Sequence, residues 1–217
     1  MSGEKTTLIR QTRKRKRKLF VMSFDYTRGG RPGLRLQNGE VLAPGDGVLH
    51  APSGRCGFPN YPEPPLFLFD RKLGRIPRDL ELFNAYSLVS DRMKVVFQAI
   101  DPDAFAFVRC EVIVPQGKYD GPDYWLCDVV RVLDALDEAG SRLKIERRGE
   151  PDYPYAGEKH YSIAGATKLA FRRDAIGDAH VFRMAHGESI VICDDVLKDA
   201  CKAAGLKGIK FRDASKL

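Results

Sequence analysis

Short apolar runs separated by glycine and proline predict many strands and few helices. The first run is Leu19–Phe24, and shorter ones lie at 34–36 and 47–50. Glycine and proline recur throughout residues 27–65, where they are typical of turns that bound short strands. Further apolar runs predict strands at 105–114, 181–183, 189–193 and 206–211.

The clearest helix signal begins at Ser90 and Asp91, residue types that cap helix N-termini. Asp101 and Pro102 end this helix, because proline cannot continue the hydrogen-bond ladder and restricts the residue before it. One apolar face runs between these two ends: Met93, Val96, Phe97 and Ile100.

A second helix is predicted after residues 189–193, capped by Asp194 or Asp195. Gly205 suits the left-handed position past its C-terminus, and Lys202 suits the dipole of its last turn. Its predicted apolar face consists of five residues: Val196, Leu197, Ala200, Cys201 and Ala204.

The order strand, capped helix, strand thus occurs twice, at 86–114 and at 189–212. It fits either a weak internal duplication or the common construction of mixed sheets. Residues 124–134 fit a strand or a buried helix equally, since periodicity does not separate the two. We predict an α+β fold with a mixed sheet, built as one domain over 19–217. Its 19–85 part is irregular and its 86–217 part forms the core.

The formal net charge of +7 lies entirely in the first eighteen residues. That segment holds eight cations and one acid, whereas residues 19–217 hold 28 of each sign and are neutral. With almost no apolar residues, 1–18 is predicted to be a disordered tail. Translation could also start at Met22, which would remove part of the first strand.

A basic run in this tail offers candidate nucleic-acid contacts through phosphates. No aromatic residue interleaves the run, so base stacking is not provided, and a solvated, disordered tail is the favoured interpretation. Any nucleic-acid binding is therefore expected through the tail only. The run consists of Arg13, Lys14, Arg15, Lys16, Arg17 and Lys18.

No motif predicts an enzyme, a cofactor or a metal site. The five cysteines are widely spaced without a CxxC pair, and the four histidines lack metal-ligand spacing. Cys193, beside a helix N-terminus, is the best candidate for an unrecognised catalytic thiol. No apolar run approaches the ~20 residues that span a bilayer, so no membrane insertion is expected.

An aromatic loop offers a candidate partner-binding surface. Tyr153, Tyr155 and Tyr161 lie close together in a polar, turn-rich stretch. Exposed rings of this kind can anchor a protein partner. Alternatively, the loop folds back over the body.

The order of several short motifs over residues 65–213 resembles immunity family eleven of bacterial polymorphic-toxin systems. The motifs are the capped helix after 88–92, the Tyr-Trp-Leu segment at 124–126, the stretch 130–137, the strand at 181–183 and the closing segment 203–211. The positions that carry the resemblance, which we interpret as structural, are Ser90, Asp91, Tyr124, Trp125, Arg131, Asp134, Gly205 and Phe211.

The resemblance implies a small, non-catalytic cytoplasmic protein that binds and neutralises a cognate toxin encoded beside it. It carries no catalytic residues and does not extend to the tail. Because the body is neutral, mimicry of DNA by a strongly acidic surface is disfavoured. Binding by shape and apolar anchors is favoured instead. The alternatives are a nucleic-acid-binding protein acting through the tail and an enzyme with an unrecognised site.

Overall fold

The computed structural model describes residues 17–27, 29–52, 56–147, 149 and 157–217. It confirms the predicted α+β class, with strands in four sheets and four short helices. The helices are α1 (Gly39–Leu42), α2 (Asp91–Ile100), α3 (Arg173–Ile176) and α4 (Asp195–Ala203). The strands are β1 (Leu19–Phe24), β2 (Leu34–Leu36), β3 (Leu66–Phe69), β4 (Leu80–Phe83), β5 (Tyr86–Ser90), β6 (Phe105–Arg109), β7 (Glu111–Ile113), β8 (Tyr124–Val129), β9 (Val132–Leu133), β10 (Lys144–Arg147), β11 (Lys159–Ser162), β12 (Val181–Met184), β13 (Gly187–Asp194) and β14 (Ile209–Asp213).

A five-stranded sheet in the order β14-β1-β13-β12-β9 carries an apolar core on each face. Side chains alternate across a strand, so neighbouring residues of β1 enter different cores. Phe20 faces a core built around α2 and α4, which we call the helical core. Val21 faces a second core that includes Leu169 and Ala214, which we call the C-terminal core. The first predicted strand is thereby confirmed and lies inside the sheet.

A four-stranded antiparallel sheet in the order β4-β5-β8-β6 covers the other side of the helical core. The structure decides that the ambiguous stretch after residue 123 is a strand, β8, paired on both edges. Val89 and Cys127 face the helices, whereas Leu88 and Leu126 face a third core beneath the N-terminal part. A helix could not pair with two neighbouring strands, so this pairing excludes the buried helix.

The apolar run at 105–114 is two strands rather than one. At Cys110 the chain leaves the four-stranded sheet and joins a three-stranded one, where β7 runs parallel to β3. The amide of Cys110 still donates to the carbonyl of Tyr124 at 3.0 Å, but that of Glu111 donates to Pro65. The predicted strand at 34–36 is β2, whereas residues 47–50 form no strand.

Both predicted long helices are present with the expected caps. Ser90 Oγ accepts from the amide of Met93, and Asp194 Oδ1 accepts from the amide of Leu197 at 3.1 Å. Gly205 follows α4 with φ of 64°. The predicted apolar face of α4 needs one correction: Val196 is 46% exposed, because the buried stripe follows Leu197 and Cys201.

The order of strand, helix and strand that repeats in the sequence corresponds to two units of the same topology. One is β4-β5-α2-β6 and the other is β12-β13-α4-β14. In each, the first two strands form a hairpin, and the last strand lies parallel to the second with one antiparallel strand between them. The hairpin turns contain Asn84 and His186, the two non-glycine residues with positive φ in the described chain.

The two units also interlock at their joints. Before β4, Asp79 Oδ2 accepts from the amide of Lys207, which follows α4. Before β12, the amide of His180 donates to Asp101 Oδ2, which follows α2. The start of each unit is therefore hydrogen-bonded to the segment that follows the helix of the other unit. Because α2 packs against α4, these contacts fix the two sheets around the helical core.

Candidate partner-binding surfaces

The family-motif residue Ser90 belongs to a buried joint. Its Oγ donates to Asp79 Oδ1 at 2.7 Å, while the other oxygen of Asp79 holds Lys207 at 2.7 Å. Both Ser90 and Asp79 are buried, so these bonds satisfy groups that water does not reach. Tyr124 is buried beside them and donates its hydroxyl to the carbonyl of Pro77 at 2.8 Å. Both motif positions therefore have structural contacts.

Arg131 makes the second joint. Its Nη1 binds Asp101 Oδ2, the same oxygen that accepts from the amides of His180 and Val181. Asp101 is 6% exposed, and these three donors compensate its buried charge. In the sequence, Asp101 signalled only the end of a helix. Its long-range partners are 30 to 80 residues away, which no local pattern indicates.

The remaining motif positions are closer to solvent. Trp125 is half-buried under Lys94, whose Nζ lies 4.1 Å from the ring centroid. Phe211 is a half-buried residue packed on the helical core. Asp91 is exposed at the start of α2, and Asp134 is exposed beside Arg172. Trp125 and Lys94 thus give one aromatic and cationic feature that a partner can reach in part.

The last two residues of the predicted tail dock on the body instead. Arg17 Nε binds the buried Asp194 Oδ2 at 2.7 Å, and its other nitrogens bind the carbonyls of Gly177 and Ala179. His180 Nδ1 lies 2.7 Å from the same carboxylate oxygen. The expectation that Arg17 is a phosphate contact is therefore corrected: its guanidinium is already occupied.

Lys18 is anchored through its backbone, while its side chain is exposed. Its carbonyl accepts from the amide of Asp195 at 3.1 Å, which aligns the chain to enter β1. Arg17 and Lys18, which were predicted as part of the tail, therefore contact the folded body. The other candidate nucleic-acid contacts, Arg13, Lys14, Arg15 and Lys16, lie outside the described residues.

A groove of about 730 Å³ opens next to this docking point, and we call it the N-terminal groove. Its floor belongs to the C-terminal core: Leu169, Ile176 and Ala214 are buried, and Phe171 is half-buried. Its rim consists of charged residues from four separate segments: Arg17, Lys18, Lys168, Arg173, Asp213 and Lys216. Sequence reasoning missed this site, because its residues come together only through the closing strand β14 and the helix α3.

The sequence matches the profile of the Imm11 immunity protein family over residues 19–216. The chain belongs to this family. A search of curated proteins found no match. The matched range ends within one residue of the C-terminus and begins with β1, so it takes in the body and leaves out the tail. The resemblance inferred from motif order is confirmed, and it carries an immunity role.

The Imm11 body buries the residue that was the best candidate for a catalytic thiol. Cys193 is 0% exposed in the helical core, and burial raises the pKa of its thiol well above the usual range. A thiol that stays protonated and has no access to substrate does not act as a nucleophile. No disulfide joins the five cysteines, all of which are described.

The described part of the chain also lacks a cluster of three metal-ligating side chains. His186 lies in the turn between β12 and β13, and His50 is exposed beside Asp46. No helix in the described ranges is long and apolar enough to cross a membrane.

Of the three loop tyrosines, the structure describes Tyr161 alone, and it is 1% exposed. Its hydroxyl donates to Glu138, to which Lys159 also binds. The hydrogen bonds from Lys159 and Tyr161 lower the pKa of Glu138. Tyr161 therefore packs on the body, as expected for a loop that folds back over it, and its ring is not an exposed anchor. Tyr153 and Tyr155 lie outside the described residues.

Proposed function

We propose that this protein is a non-catalytic immunity protein that binds and neutralises a cognate polymorphic or contact-delivered toxin encoded nearby. The observation that carries the proposal is the family match over residues 19–216. The burial of Cys193 adds support, because it removes the strongest enzymatic candidate in the chain. We further propose that the protein acts in the cytoplasm without a cofactor.

The surface favours binding by shape and apolar anchors over imitation of DNA. An imitator of DNA needs a dense acidic face to complement a basic cleft. The body has equal numbers of acids and cations, and among the described residues five acids are buried: Asp79, Glu81, Asp101, Asp128 and Asp194. Large apolar side chains that are exposed in the described residues offer anchors instead: Tyr26, Val41, Ile76, Leu82, Val95, Ile113, Val132, Ile145 and Val196.

Nucleic-acid binding through the basic tail remains the second candidate function. The ion pair of Arg17 with Asp194 removes Arg17 from the candidate contacts. This binding now depends on residues 13–16 and on Lys18. Titration of salt against oligonucleotide binding tests it, since a phosphate-binding tail loses affinity steeply as salt rises. Replacing all four cations of 13–16 by glutamine in the full chain provides the comparison. Equal binding by both proteins would exclude residues 13–16 as a nucleic-acid contact.

Co-expression tests the immunity proposal directly. The toxin gene adjacent to this one is induced in a sensitive host with and without the full-length protein, and growth and complex formation are measured. We expect growth to recover and the two proteins to co-purify at equal stoichiometry. A matched control is a variant with the Gly208→Ala substitution, which disturbs the fold and should rescue less. Continued growth arrest with no complex would refute the proposal.

A further inference from the structure

We infer that the N-terminal groove binds an acidic peptide segment with apolar anchors, supplied by a protein partner. Under the proposed function this partner is the cognate toxin, and that identification rests on the proposed function. The groove of about 730 Å³ has the size of a site for a short segment rather than of a whole interface.

The rim of the groove is positive and its charges are available. Lys18, Lys168, Arg173 and Lys216 are exposed, and none forms an ion pair with a described residue. Asp213 is the one acid among the described lining residues, and its pKa is lowered by hydrogen bonds from Ser215 and, to a smaller extent, by the charges of Lys18 and Lys216. Arg17 also lines the groove, but Asp194 neutralises it. Four cations therefore face one acid, which favours an anionic occupant.

The floor of the groove favours a peptide over a nucleic acid as the ligand. Leu19, Leu169, Ile176 and Ala214 are aliphatic, and Phe171 is the one aromatic residue of the described lining. The Phe171 ring already makes an edge contact with Phe182, at 5.9 Å between centroids. Nucleic-acid grooves stack successive bases on several rings, which this floor does not provide. Apolar side chains of a peptide fit it, while acidic side chains pair with the rim.

The position of the groove also argues against occupation by the protein's own tail. Residues 13–16 are joined to Arg17 at the rim, and all four are cations. Like charges repel, so a run of four cations is a poor ligand for a cationic rim. The same cations would strengthen the field that attracts an acidic partner to this end of the molecule. The groove and the tail therefore favour the same class of ligand.

A binding assay on the full-length protein tests the groove without the toxin. The probe is a fluorescein-labelled peptide of alternating glutamate and leucine, and the control peptide has glutamine in place of glutamate. The double variant Lys168→Glu and Arg173→Glu reverses two rim charges. Its matched control is Arg71→Glu and Lys72→Glu, which changes two exposed cations outside the groove. Thermal unfolding of each variant verifies that it is folded.

We expect the rim variant to bind the acidic peptide about tenfold more weakly, and the control variant to bind within about twofold of the original. Binding should also weaken as salt rises, because exposed charges are screened. If the rim variant unfolds, the milder Lys168→Gln and Lys216→Gln variant replaces it, with a smaller loss expected. Equal binding by the rim and control variants would overturn the inference, and so would equal affinity for the two peptides.

Two further outcomes separate this inference from its alternatives. A thymidine oligonucleotide that binds more tightly than the peptide, and is lost in the rim variant, would make the groove a nucleic-acid site and overturn the inference. In co-purification with the toxin, loss of the complex in the rim variant supports the groove as the docking site. A complex that survives the rim variant unchanged would overturn the groove assignment, yet it would leave the immunity function standing.

Discussion

Replacement of Asp194 by alanine tests how much its contacts with Arg17, His180 and α4 stabilise the fold. The carboxylate is 0% exposed and performs three tasks at once. It caps α4 through the amide of Leu197, it pairs with Arg17 and it contacts His180 Nδ1. All three contacts disappear in Asp194→Ala. The helix then begins without a cap, and the guanidinium of Arg17 keeps only its carbonyl partners.

The magnitude follows from the contacts one by one. Loss of the cap costs about 1 kcal/mol. Breaking a buried ion pair costs about 3 to 5 kcal/mol when the remaining charge stays buried, but the Arg17 side chain is 27% exposed and can reach water in part. We therefore assign about 1 to 2 kcal/mol to the pair and expect a total loss of about 2 to 3 kcal/mol. Asp194→Asn keeps a good cap, so it should lose about half as much.

Urea unfolding of the full-length protein, followed by circular dichroism, measures these losses. The control is Asp195→Ala, which removes a half-buried acid whose bond to the amide of Lys18 is 3.3 Å long. It should cost less than about 0.5 kcal/mol. If Asp194→Ala lowers the free energy of unfolding by less than about 1 kcal/mol, the stabilising role assigned to the Asp194–Arg17 ion pair is refuted. Equal losses for Asp194→Ala and Asp194→Asn would refute the part assigned to the cap.

Two further predictions concern Glu81 of β4 and Gly208, which packs against β4. Burial raises the pKa of Glu81, but hydrogen bonds from Arg75 and Arg78 outweigh it and leave the pKa lowered. A lowered pKa stabilises the fold above the unfolded value near 4.5 and loses that contribution as the pH falls through the folded value. Urea unfolding between about pH 6 and pH 3 should therefore show a smaller pH dependence in Glu81→Gln, and an unchanged dependence would contradict this. In Gly208→Ala, the new Cβ would lie 2.2 Å from a backbone oxygen of β4 at a φ of 89°, so the midpoint of thermal unfolding should fall by several degrees. Gly149→Ala, whose Cβ meets no atom of a described residue within 4 Å, should leave it unchanged.

Local patterns of the sequence were sufficient for α2 and α4 and for their caps. Ser90 and Asp194 lie directly before apolar residues at helical spacing, and both cap as predicted. A cap acts over three residues, so its signal is contained in a short window. The strand at Leu19–Phe24 was predicted for the same reason. The family resemblance also followed from the sequence, because motif order is preserved along the chain.

Decisions that depend on distant partners could not be predicted in this way. The break at Cys110 divides one apolar run between two sheets, since β6 pairs with β8 and β7 pairs with β3. Exposure of Val196 depends on which side of α4 meets the helical core. In the sequence, Arg17 is part of a basic tail. In the structure it forms an ion pair with Asp194, 177 residues later, and so has a structural role.

By itself the sequence determined the α+β class, the positions of α2 and α4, the neutrality of the body and the family. Each of these depends on composition, on short-range spacing or on the order of motifs. The tertiary structure decided that the two helical units interlock, that Cys193 is buried and that a cationic groove forms beside Arg17. These features need residues far apart in the chain to meet, and only the packing of sheets around a shared core brings them together.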